Sequence, residues 1–224
     1  MRSLVKIIAV ILIIAALPLS LASCDRRYDE AEVMEAATLL ITASAELNEI
    51  YYGKGIAFLE NSSHNISIYC EADPASLEKY GIKTIAELKE KTKLVFSESH
   101  AESMFKSSFS GSYSQGGSTS NMSRYYQKYD DKGDKPVCIM VHSSYENLMT
   151  SENVYDFGTL TVVGSKGKYV IVTIETTVTS PDGESQVQTL RIRLIEEDKG
   201  WRISSTTFAN YNELQDLYDE LQKS

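Results

Sequence analysis

Ser103-Met104-Phe105-Lys106 sets a hydroxyl and an amine one helical turn apart, the spacing at which a lysine can serve as base to a serine nucleophile. A working site of that kind also needs S-D-N and K-T-G elements. Ser151-Glu152-Asn153 echoes the first loosely, and the nearest approach to the second is Lys166-Gly167-Lys168, in a turn. Ser103 falls inside a helical pattern rather than at its start, so a serine and a lysine on a solvated face is the better reading. His64, His100 and His142 occupy a turn, a helix start and a strand end. None has an i,i+4 partner or a Cys/His cluster, so no zinc site is expected. Glu175, a mid-strand carboxylate, could act as a general base only from inside a pocket. Alternation places it on the wetter face with Tyr169 and Thr173. Glu213, Asp216, Asp219 and Glu220 lack the glycine-centred spacing of a calcium loop and read as a solvated helix face. No catalytic constellation is complete. The expectation is a binding protein, not an enzyme, with no cofactor.

Two other residue sets could carry function. Cys70 and Cys138 each sit in a short apolar-alternating segment, and the sequence leaves a disulfide or two buried thiols open. Tyrosines are abundant, and Tyr125, Tyr126 and Tyr169 on strand-like segments form a candidate binding surface for glycan or protein. The plainer account is the ordinary preference of strands for aromatic residues.

The third cysteine has a different setting. Arg2 and Lys6 precede an apolar run over residues 7–17, Pro18 breaks it, and Leu21-Ala22-Ser23-Cys24 follows. A basic start, a short apolar core and small residues at the cut describe a secretory signal peptide, and the run is about half of a membrane span. Leu-Ala-Ser-Cys resembles the bacterial lipobox. That resemblance implies cleavage before Cys24, lipid on its sulfur, and an extracytoplasmic domain held at the cell membrane. Residues 1–23 are then the signal and 24–28 a short tether. Losing Arg2 and Lys6 takes the net charge from −9 two units further negative. Such a chain lacks the basic footprint of a nucleic-acid binder. The sequons at Asn61, Asn65 and Asn121 are coincidences of serine-rich loops in this setting.

Elements follow from spacing and caps. Asp29-Glu30-Ala31-Glu32 has capping-box form and opens a long helix with Val33, Ala37, Leu40, Ser44, Leu47 and Tyr51 on one face. Residues 66–70 read as a strand, and Asp73-Pro74 as a turn. Thr84 to Glu87 repeats the capping box over a helix carrying Ile85, Leu88, Thr92 and Val95, and Ser97 caps another carrying Ala101, Met104, Phe105 and Phe109. The serine- and glycine-rich stretch 107–123 reads as a mobile loop. Strands are expected at 125–129, 137–142, 157–163, 169–178, 187–195 and 201–208, joined by Asp-, Gly- and Pro-bearing turns, and a short helix closes the chain. Residues 29–224 form one α+β domain, with helices packed on one side of a curved antiparallel sheet.

A long first helix backed by such a sheet resembles the NTF2-like and cystatin-like architectures. More narrowly, the chain is similar to secreted inhibitors of cell-wall DL-endopeptidases from Gram-positive bacteria. The likeness runs through Tyr80-Gly81-Ile82-Lys83-Thr84-Ile85-Ala86-Glu87-Leu88-Lys89, Val95-Phe96-Ser97, Arg124-Tyr125-Tyr126, Tyr155-Asp156-Phe157 and Gly200-Trp201-Arg202-Ile203. It implies a lipid-anchored surface domain that binds an envelope protein or a peptidoglycan-related partner and modulates a wall hydrolase. An NTF2-like pocket for a small molecule, and an accessory role in an envelope complex, are the alternatives. A tether this short favours partners at the membrane surface.

Overall fold

The computed structural model describes residues 28–60, 68–110, 113–115, 118–120 and 123–211. Cys24, the stretch read as its signal, most of that read as a tether, His64, the three sequon asparagines and the acidic stretch read as a closing helix lie outside the described residues. Helices and antiparallel sheets combine in an α+β fold.

Helix α1 spans Glu30–Tyr51. Asp29 caps it, Oδ1 accepting from Ala31 N–H at 2.9 Å and Glu32 N–H at 3.4 Å. The carboxylate of Glu32, expected to reach back to the cap, is turned to Trp201 and accepts from its indole N–H at 3.1 Å. The buried stripe carries Val33, Ala37, Ile41, Ser44, Leu47 and Tyr51, with Ile41 at the position expected for half-buried Leu40. Helix α2, Pro74–Lys79, occupies what reads in sequence as a turn. Asp73 accepts from Ala75 N–H at 3.1 Å, and proline's fixed φ suits the first helical position, so the same dipeptide starts a helix.

Helix α3, Ile85–Val95, has its capping box. Thr84 Oγ1 accepts from Glu87 N–H at 3.1 Å, and the Glu87 carboxylate returns to Lys83 N–H at 2.6 Å. Leu88, Thr92 and Val95 are buried as expected. Ser97 caps helix α4, Glu98–Phe109, which buries Ala101, Met104 and Phe105. Because α4 continues through Phe109 and strands β2 (Tyr113–Gln115) and β3 (Ser118–Ser120) pair antiparallel, part of 107–123 is regular structure where a loop was expected.

The expected single sheet is two larger sheets. Strands β1 (Tyr69–Glu71), β4 (Tyr125–Tyr129) and β5 (Pro136–His142) form one, in the order β1-β5-β4. Strands β6 (Glu152–Lys166), β7 (Tyr169–Thr179), β8 (Ser185–Glu197) and β9 (Gly200–Ile203) form a meander. Between them the chain passes the end of α1, where Met149 N–H bonds Tyr52 O at 2.7 Å. Strand β6 is longer than its apolar pattern because register shifts between Asp156 and Thr161, and between Val162 and Gly164, break the alternation. Strand β9 stops at Ile203, and Ser205 Oγ then accepts from Arg193 N–H at 3.0 Å beside β8.

On β7, Val170, Val172, Ile174, Thr176 and Val178 face inward and Glu175 outward, as alternation requires. One buried cluster joins α1, α3 and α4 to both larger sheets through Ile41, Leu47, Phe96, Met104, Ile139, Val172 and Ile192. Among the described residues no helix is long and apolar enough to cross a membrane.

Candidate functional site

A cleft of about 750 Å³ opens where the second half of α1 meets the start of β6. Ala45, Asn48 and Glu49 form its helical wall. Residues 149–153 form the opposite wall, and Ser180 and Pro181 at the end of β7 close one side. Most of the lining groups are neutral hydrogen-bonding side chains, with Glu49, Lys54 and Glu152 adding charge of both signs.

Behind the lining, Asn48 and Tyr155 are held by Thr207, which is fully buried. Its hydroxyl accepts from Asn48 Nδ2 at 2.8 Å and bonds Ser44 Oγ at 2.8 Å, while its carbonyl accepts from Tyr155 Oη at 2.8 Å. Burial pushes the Tyr155 phenol up to about 12, against the lowering effect of hydrogen bonds from Asn48 and Thr207. The phenol therefore stays protonated and donating at neutral pH. Asn153 imitates a strand edge for Ala209, accepting from its N–H at 2.9 Å and donating to its carbonyl at 3.0 Å. Asn210 Oδ1 accepts from Thr150 N–H at 2.9 Å, its Nδ2 donates to Leu148 O at 2.9 Å, and Ser151 Oγ accepts from Tyr211 N–H at 2.9 Å. These bonds fix both walls before any ligand arrives, which limits the ordering cost of binding. Ala45, Glu49, Lys54, Asn147 and the Thr150 side chain present the accessible surface. The arrangement suits a polar chain with its own amides and hydroxyls.

Beneath the cleft, Arg124 is 2% exposed. It donates from Nη1 to Tyr51 O at 2.9 Å and from Nη2 to Gly53 O, capping the carbonyl end of α1. Its guanidinium also lies over the Tyr145 ring, 5.1 Å from the centroid.

The candidates read from sequence are dispersed. Tyr125 is wholly buried, so it is core and not binding surface. Its hydroxyl donates to Ile50 O and accepts from Ile56 N–H, demands that a solvent-facing tyrosine could not meet. Tyr126 is 38% exposed and packs edge-on against Tyr69, whereas Tyr169 lies on the other sheet, so the three make no common platform. Cys70 and Cys138 are free thiols. The register explains this: Cys70 faces Val141, three residues from Cys138 along β5, an odd step that sends the two side chains to opposite faces. Ser103 and Lys106 are both exposed on α4. His100 stacks on Phe96 and His142 packs against Tyr69. No cluster of three metal-ligating side chains occurs among the described residues.

The cleft was not anticipated. Its sequence signal is the polar run Asn147 to Asn153, but the partners that shape it, Thr207 to Tyr211, are some 60 residues away. Comparison of the chain with family models, curated proteins and solved structures returned no match.

Proposed function

We propose that this protein is a lipid-anchored binding domain on the outer face of the cell membrane, and that its cleft takes a polar chain of a wall-associated partner. Regulation of a cell-wall hydrolase is the sharpest form of the reading. The carrying observation is the preformed cleft, about 750 Å³, with walls locked by Asn48, Asn153 and Asn210. The anchor rests on Leu21-Ala22-Ser23-Cys24 and its upstream segment. Helix α1 then acts as a spacer. Asn48 lies 19 residues beyond Asp29, roughly 28 Å at 1.5 Å per residue, so the cleft stands off from the tethered end.

The cleft volume also falls in the range of small-molecule pockets, roughly 300–1,000 Å³, which keeps an NTF2-like pocket as the second reading. The two separate in one experiment. The Cys24→Ala chain without residues 1–23 is used as bait in envelope extract, and captured material is assayed for wall-lytic activity. Recovery of a hydrolase whose activity the bait alters supports the first reading. Capture of no envelope protein or wall fragment, with lytic activity unchanged, overturns it. Anchoring has its own readout: the full chain is expected in the membrane fraction and the Cys24→Ala chain without residues 1–23 in the soluble one, and a full chain found in the soluble fraction contradicts lipidation.

A further inference from the structure

The outward face of the β6–β9 sheet carries a second, chemically different depression. His100, Ile171, Arg191, Arg193, Ser205 and Thr206 surround a shallow hollow of about 450 Å³. Arg191 and Arg193 are two residues apart on β8, so both project from one face with their Cα atoms roughly 7 Å apart. Their opposite positions on β7 are Thr173 and Ile171, neither of them acidic. The ion pairs among the described residues are Lys91–Glu46, Lys93–Glu90 and Lys128–Glu71, and none involves either arginine. Glu175, diagonal to Arg191, is not within ion-pair distance, and the Glu197 carboxylate, further along β8, accepts from Glu98 N–H.

Two like charges side by side on one strand face are unfavourable without a counter-charge. In a chain of net charge −9 such a concentration of unpaired cations is the opposite of the average surface. The basic strip continues past the hollow: the Arg193 guanidinium and the Lys168 ammonium each lie 5.5 Å from the centroid of the Tyr169 ring. Burial and the nearby Arg193 hold the His100 imidazole below its usual pKa, so at neutral pH it brings an N–H without a third charge. The backbone N–H of Arg193 is satisfied by Ser205 Oγ, which leaves the guanidiniums and the Thr206 hydroxyl as outward donors.

From this geometry we infer that the hollow between Arg191, Arg193 and Thr206 binds a phosphate group. Two guanidinium forks and a hydroxyl line one hollow, and together they offer more donors than the two oxygens of a single carboxylate need, a number that suits the several oxygens of a phosphate. Phosphate chemistry has two sources at an envelope, a soluble or polymeric phosphoester and the headgroup of an anionic lipid. Tyr169, beneath the Arg193 guanidinium, lines a separate neighbouring hollow with Tyr28 and Asp29, the first described residues on the Cys24 side, so both sources are in reach of a tethered protein.

The test uses the Cys24→Ala chain without residues 1–23 and its Arg191→Gln/Arg193→Gln double variant, both side chains being exposed and their loss leaving the core intact. A Lys132→Gln/Lys135→Gln variant, altering two exposed lysines in the β4–β5 turn, controls for general charge. Titration with inorganic phosphate and glycerol 3-phosphate reads the soluble source, and cosedimentation with phosphatidylglycerol against phosphatidylcholine vesicles reads the lipid source. Binding in either arm that falls at least tenfold in the arginine variant and holds in the lysine control is the expected result, and the responding arm names the source. No binding in both arms, or equal loss in both variants, overturns the inference. Because neither arm involves the cleft, failure here leaves the cleft reading standing.

Discussion

The phenolic oxygen of Tyr125 donates to the carbonyl of Ile50 at 2.8 Å, and the same oxygen accepts from Ile56 N–H at 3.0 Å. One β4 side chain thereby satisfies backbone groups on both sides of the turn that ends α1. It ties the three-stranded sheet to the helix that walls the cleft. Tyr125→Phe keeps the ring but orphans an acceptor and a donor, and is expected to cost about 1–3 kcal/mol. Urea unfolding monitored by circular dichroism measures this. A midpoint equal to the wild type would mean that the hydroxyl carries no structural load.

Arg124 closes the same helix end by charge. Lysine in its place cannot reach Tyr51 O and Gly53 O together as the planar fork does. Arg124→Lys is expected to lower stability by about 2 kcal/mol, the scale of a hydrogen bond to a charged group. The same unfolding experiment gives the value, and wild-type stability in the lysine variant would show that position alone, not the fork, matters.

Buried phenols set an alkaline limit. Burial pushes Tyr52 and Tyr155 up to about 12, and Tyr51 higher still, against an ordinary value of 10. Between about pH 10 and 12 the unfolded chain releases protons that the folded one retains. Their contribution is therefore intact below pH 10 and is lost as pH rises through that window. Thermal melts from pH 8 to 12 should show Tm level up to about 10 and falling above it. Tyr155→Phe should make the fall shallower.

The thiols give a third readout. Cys70 is buried and Cys138 half-buried, and burial raises the Cys138 thiol above its usual pKa. Alkylation of the unreduced native protein should label Cys138 slowly and Cys70 only after unfolding. Recovery of a Cys70–Cys138 linked peptide would contradict the register of β1 on β5.

How much of this was legible depends on whether the signal was local. The caps at Asp29, Thr84 and Ser97 are read from three or four neighbouring residues, and all three start helices. Alternation along β7 predicts the buried set because one face of the strand lies against the common core, where Val170, Val172 and Ile174 join the buried cluster. Asp73-Pro74 misleads because a turn and a helix N-terminus use the same pair for the same reasons, a side-chain acceptor and a fixed φ. Tyr125 was misassigned because alternation within a five-residue strand does not say which face the neighbouring helix will cover. Strand β6 was clipped at both ends because its bulges shift the period. The cleft was invisible for a different reason. Asn48, Asn153 and Thr207 become a site only through pairings across 56 to 159 residues, which no local pattern encodes.

The central claim is that the cleft is where the partner binds, and Ala45 offers the most direct test. Its side chain is exposed on the helical wall and makes no hydrogen bond, so Ala45→Trp fills the opening without touching the floor. The measurement is the amount of envelope partner or wall fragment captured by the Cys24→Ala chain with and without Ala45→Trp, with Tm recorded for both. The account predicts at least tenfold lower capture by the tryptophan variant at unchanged Tm. Equal capture by the two proteins would place the binding surface elsewhere and contradict it.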